Sequence, residues 1–167
     1  WPYGIDVERP LSYLSFLHLS LAIDASGAPV AFHRAEDFAA HGVSLVSRYH
    51  TKTLLSYDWA FDGVEVSARY FLADEHTLIC LLELHNGASQ PRRVTAHATN
   101  IYGYRGHMYW GGDGVTSSYR PVEDAAVSKI WAYGDVMALG ASRPSAAYRA
   151  TSSKEQWDGW IYSGDLT

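Results

Sequence analysis

The sequence predicts an all-β fold, two antiparallel sheets packed face to face with one or two short peripheral helices. Three observations carry this expectation. Apolar and polar residues alternate with period two along several segments, the mark of strands with one face in a core. Turn signals recur about every eight to twelve residues, the spacing of sandwiches and barrels. Hydrophobic residues make up 47% of the 167-residue chain, aromatic residues 14% and charged residues 19%. That composition can fill one core and carries too little charge for a disordered segment. Residues 1–167 read as a single domain, with no internal repeat and no low-complexity linker.

Each element has its own signal. Within 11–23, Leu17, Leu19, Leu21 and Ile23 share one strand face, while His18, Ser20 and Ala22 take the other. Ala25-Ser26-Gly27 turns the chain into a short strand at 28–32. In RAEDFAAHG the acidic residues come early and Gly42 follows as a C-terminal cap, which predicts one or two turns of peripheral helix. Strands follow at 43–49, 53–61 and 64–72, the last two joined by Asp62-Gly63, a two-residue hairpin signal. In the third of these, Val64, Val66, Ala68, Tyr70 and Leu72 point one way and Glu65, Ser67 and Arg69 the other.

The next run, HTLICLLEL at 76–84, is apolar on both faces, which predicts a central strand covered on both sides. Asn86-Gly87-Ala88-Ser89 and Pro91 end it, and 94–102 resumes the sheet. Residues 125–133 and 136–141 form a second hairpin through Gly134-Asp135. Ser152 with Glu155 makes a capping box for a short terminal helix.

Charge and cysteine usage exclude several classes of function. The formal net charge is −5, from 18 acidic and 13 basic residues, and no basic cluster exceeds Arg92-Arg93. Nucleic acid and anionic membranes are therefore poor partners. Cys80 is the one cysteine, which excludes an internal disulfide and a cysteine-based zinc site and leaves the redox compartment open. Eight histidines are scattered without metal-ligand spacing, and GGDG lacks the Lys-Ser/Thr of a phosphate loop, so neither metal nor cofactor is expected. No apolar run approaches the roughly 20 residues of a membrane span. A soluble protein is expected, with the cytoplasm favoured. The opening at Trp1 and the close at IYSGDLT read as cuts through a longer protein or as a processed product, with the cut favoured.

Residues 61–100, FDGVEVSARYFLADEHTLICLLELHNGASQPRRVTAHATN, carry a longer pattern. A strand with Val64 and Val66 ends in Tyr70-Phe71. The acidic turn Asp74-Glu75 leads to a hydrophobic strand with Leu82 and Leu84, then Asn86, a polar turn and Pro91-Arg92. This resembles the N-terminal supersandwich (galactose mutarotase-like) domain of glycoside hydrolases and phosphorylases with an (α/α)6-barrel catalytic domain. That group includes glucoamylases, amylo-1,6-glucosidase debranching enzymes and maltose and cellobiose phosphorylases. The opening WPYG and the segment SRYHTKTLLSYDWAF fit the same order, and SSKEQWDGW is similar to the Ser-x-Arg-Glu-x-Phe-x-Gly segment of phosphorylase-type domains.

The resemblance implies a noncatalytic domain whose partners are a barrel in the same protein and an oligosaccharide or α-glucan substrate. The general acid and base would sit in that barrel, so no catalytic residue is assigned to this chain. Glu65 and Glu83 read as exposed or salt-bridged strand residues rather than a glycosidase carboxyl pair.

The candidate substrate-binding segment is NIYGYRGHMYWGGDGVTSSYR at 100–120, which packs Tyr104, Arg105, His107, Tyr109, Trp110 and Asp113 among five glycines. Aromatic rings can lie on the C–H face of a sugar while Asp and Arg bond its hydroxyls, and glycines let the backbone approach. The same rings could instead fill the sandwich or dock on a neighbouring domain. Two other functional readings stay open: a free-standing carbohydrate-binding module, and a mutarotase-like isomerase using His85 and His97 as proton carriers.

Overall fold

A computed structural model describes residues 4–8, 13–25, 27–104, 115–130, 135–151 and 153–163. The first half of the chain forms strands β1 (Gly4–Glu8), β2 (Tyr13–Ala25) and β3 (Ala28–Phe32), helix α1 (Ala35–Ala40), then β4 (Val46–His50), β5 (Leu54–Phe61) and β6 (Val64–Leu72). The second half forms β7 (Leu78–Asn86), β8 (Val94–Tyr104), β9 (Val115–Arg120), β10 (Ala125–Ile130), β11 (Asp135–Gly140) and helix α2 (Lys154–Ser163). Every strand pairing is antiparallel, so the fold is all-β as the alternation predicts.

Among the described residues the pairings make three sheets where two were expected. In the first, β2 is central: β8 runs along it from Tyr13 to Ile23, while β1 and β3 share its other edge. The second has the order β4-β5-β6-β7, and the third is the meander β11-β10-β9. The expected hairpin at 125–141 is thus present as β10 and β11, with Ile130 opposite Asp135, but it belongs to this third sheet. Its turn lies outside the described residues. Strand β9 was hidden from the sequence reading because glycines and aromatics dominate the segment before it.

The first two sheets share one core. Leu21, Ile23 and Phe32 meet Val64 and Val66 there, with Trp59, Phe61 and Leu82 packed against them. Phe32 is the hub, its ring 4.7 Å from Trp59 and 4.9 Å from Phe61. A small apolar cavity of about 30 Å³ between the sheets is lined by Leu19, Tyr57, Trp59 and Tyr70, too small for a sugar ring.

Helix α1 starts where the carboxylate of Asp37 accepts the backbone N–H groups of His33 and Arg34 at 2.9 and 2.7 Å. It ends in a Schellman arrangement, Val43 N–H donating to Phe38 C=O, with Gly42 at φ +64. It is less peripheral than its charge pattern suggests. Phe38 is buried, with its ring 5.1 Å from both Phe32 and Trp59.

The largest departure from the sequence reading concerns which strand is covered on both faces. The apolar run at 76–84 becomes β7, which ends its sheet and leaves Ile79 and Leu81 39% and 44% exposed. The doubly covered strand is β2: Leu21 and Ile23 face the core, and His18, Ser20 and Ala22 are buried on the opposite face. Hydrophobic content alone cannot separate these cases, because a polar strand face can be buried when something polar covers it.

Asp62 and Gly63 both adopt left-handed backbone, φ 47 and 80, and turn β5 into β6 as a type I′ hairpin requires. A methyl at Gly63 would stand 2.8 Å from Ala88 Cβ and 3.1 Å from its backbone nitrogen. Gly63→Ala is therefore expected to cost about 2 kcal/mol, strain and crowding together. Gly27→Ala, at φ +90 with open space around it, should cost only about 1 kcal/mol. Urea midpoints of the two variants measure the difference.

Candidate functional site

The polar face of β2 is where the described residues concentrate their buried ionisable side chains. Ser20 sits mid-strand, with His97 of β8 directly opposite and Thr99 opposite His18. Phe32 pairs with Leu21, so His33, one residue on, falls beside Ser20. Helix α2 covers this patch, packing on β2 and β3.

The cap of α2 is Ser153, whose hydroxyl accepts the Gln156 N–H at 3.2 Å and donates to Glu155 at 3.0 Å. That is one residue later than the expected Ser152, which lies outside the described residues. From this start, Trp157 and Asp158 face the sheet. The Trp157 ring lies 4.5 Å from His33 and 5.6 Å from His18, edge-on to both, and its indole N–H donates to Thr99 at 3.4 Å. Ile161 is buried, and the Tyr162 hydroxyl donates to Asp37 at 2.9 Å.

A chain of hydrogen bonds runs through the patch. Ser20 Oγ is 3.1 Å from His18 Nδ1 and 2.7 Å from His33 Nδ1, and His33 Nε2 is 3.3 Å from Asp158. Arg34 and Lys154 also donate to the Asp158 carboxylate, Lys154 at 2.8 Å.

The partners assign the protons. A carboxylate only accepts, so His33 carries its proton on Nε2 and its Nδ1 accepts from the Ser20 hydroxyl. The Ser20 oxygen then accepts from His18 Nδ1–H. Both imidazoles are neutral in this arrangement. Burial and the charge of His33 push the His18 pKa down to about 4, against a hydrogen bond to the His33 backbone that raises it. Burial also lowers that of His33 despite its bond to Asp158. For Asp158 the hydrogen bonds from Lys154 and Arg34 outweigh burial and hold the carboxyl at about 2. His97 is lowered by burial and by His33, and its Nε2 is buried with no hydrogen-bond partner among the described residues.

Ser20, His33 and Asp158 share the connectivity of a nucleophilic triad. The geometry does not let them act as one. Ser20 is 1% exposed beneath α2, and a nucleophile needs a reacting atom within about 3 Å. What the chain of bonds does is join β2, β3 and α2. No family model, curated protein or solved structure matches this chain.

Of the expected sugar-binding residues, Tyr104 ends β8 opposite Tyr13, while Arg105, His107, Tyr109, Trp110 and Asp113 lie outside the described residues. The segment they occupy connects the first sheet to the third. Glu65 and Glu83 are exposed strand residues, as expected, facing His85 at 3.4 Å and Arg69 at 3.0 Å. His85 and His97 do not meet: His85 lies on the outer face of β7 with Glu65, and His97 pairs with Ser20 in the first sheet. No group of three or more metal-ligating side chains occurs among the described residues. No described helix is long and apolar enough to cross a membrane, which leaves strands unaddressed.

Sequence reasoning found the His18/Ser20 face but not its completion. His33 and Asp158 are 125 positions apart, and only the docking of α2 joins them.

Proposed function

We propose that this chain is a noncatalytic β-sandwich domain of a carbohydrate-active enzyme, a glycoside hydrolase acting on oligosaccharides or α-glucans. It supports an (α/α)6-barrel catalytic domain in the same protein and lends residues 104–113 to the rim of the substrate site. The observation that carries the reading is the resemblance of residues 61–100, a stretch that runs from the end of β5 through β6, β7 and most of β8. The outer face of β7 adds support. Ile79 pairs with Phe71, which pairs with Leu54, and Leu81 stands beside them, an apolar row suited to packing on a neighbouring domain.

Two measurements test the reading. The gene should continue past Thr167 into a long helical region, and its absence would sink the proposal. In calorimetric titrations, the full-length protein should bind maltooligosaccharides and weaken roughly tenfold with Trp110→Ala, the loss of one stacking contact of about 1.4 kcal/mol. The isolated chain should give no heat with maltooligosaccharides or cello-oligosaccharides, since it supplies only one wall of the site. Tight binding by the isolated chain would replace this reading with a free-standing binding module.

A further inference from the structure

We propose that the seat of α2 is an acid-released latch: protonation of the imidazoles buried beneath it undocks the helix from β2 and β3 while the core between the first two sheets stays folded. The patch has a definite charge inventory. β2 contributes His18, β8 contributes His97, and the end of β3 contributes His33 and then Arg34. Facing them are Asp37 from α1 and Lys154, Asp158 and Tyr162 from α2. Two permanent cations already meet the carboxylate that would have to neutralise a protonated His33.

The hydrogen bonds limit how many protons the docked state can take. One added proton is absorbed by reversing the Ser20 hydroxyl: His33 Nδ1–H donates to Ser20, and Ser20 donates to a neutral His18 in its other tautomer. A second proton has no such route. Two Nδ1–H donors then converge on one hydroxyl, whose own hydrogen loses its acceptor, and two cationic rings stand 4.8 Å apart. The third imidazole, His97, has no hydrogen-bond partner at Nε2 among the described residues to share a charge with. Undocking α2 exposes the rings to water and removes the conflict.

The direction of the effect follows. Docked, His18 is lowered from 6.5 to about 4 and His33 and His97 are lowered with it, so the undocked state binds protons more tightly. Docking is favoured fully above pH 6.5 and is lost as pH falls toward 4. Asp158 stays ionised to about 2, so its own titration lies below this window. The shared core is built of Leu21, Ile23, Phe32, Phe38, Val64 and Val66, none of them titratable, which gives acid no direct purchase there.

Hydrogen exchange followed by mass spectrometry on the 167-residue chain from pH 7.5 to 4, corrected for intrinsic rates, reads the latch. Peptides covering α2 should lose protection about tenfold per pH unit for each uncompensated proton, reversibly, while β5 to β7 keep theirs. Unchanged α2 protection, or its loss together with β5 to β7 in one transition, would overturn the proposal. His18→Asn removes one titrating ring and should move the α2 midpoint to lower pH. If that variant fails to fold, Lys154→Gln serves instead: this exposed cation competes for Asp158, and its removal should let the docked state hold a charged His33, again lowering the midpoint. A midpoint unmoved in the folded variant counts against the latch.

Discussion

Phe32→Ala is expected to lower unfolding stability by about 4 kcal/mol, a large share of the roughly 5 to 15 kcal/mol typical of a domain. Phe32 is 2% exposed, and its ring packs on Phe38 of α1 at 5.1 Å and on Trp59 and Phe61 of β5 at 4.7 and 4.9 Å. Truncation removes the apolar area of the ring and three edge or tilted aromatic contacts at once. It also leaves a hole that Trp59 and Phe61, held in a strand ladder, cannot close. Phe32→Leu keeps most of the volume and should cost about 1.5 kcal/mol. Urea denaturation with an unchanged slope is the measurement, and a loss below 1 kcal/mol for the alanine variant would show that the two sheets are not held together through this ring.

Ser20→Ala, which removes a single oxygen, is expected to cost about 3 kcal/mol. That oxygen bonds His18 and His33 at 3.1 and 2.7 Å, so its loss strands polar atoms on two rings that are 6% and 1% exposed. Each buried group left unsatisfied costs about 1 to 3 kcal/mol, more than the bond itself contributes. The damage should be local, appearing as loss of α2 protection before any change in β5 to β7. Pairing Ser20→Ala with His18→Phe should restore part of the stability, since the His18 nitrogen then leaves with the hydroxyl and only His33 Nδ1 stays without it. A serine-directed phosphonate that labelled Ser20 in the folded chain would contradict the reading of this network as structural.

These two expectations differ in how far they can be read from the chain itself. Phe32 announces itself at the end of a short apolar strand between a turn and a helix. Ser20 does not: in the alternation of 11–23 it looks like the exposed side of a half-buried strand. Its burial depends on α2, whose docking residues Trp157 and Asp158 come more than 130 positions later. The reverse happened to Ile79 and Leu81, whose apolar character suggested cover on both sides, yet β7 closes its sheet with that face open.

By itself, the sequence determined most of the strands, β1 and β9 excepted, together with the alternation of β2 and β6, the Asp62-Gly63 turn, the Gly42 stop of α1 and the β10–β11 pair, because each depends on neighbours within a few residues. Backbone sterics and period-two alternation act at that range. Tertiary structure alone decided that the described strands make three sheets, that β2 rather than β7 lies at the centre, and that His18, Ser20, His33 and Asp158 form one network. Those outcomes depend on which ladder closes against which and on what a distant helix covers. No local pattern encodes that, since the same strand face can be satisfied by water or by another polar surface.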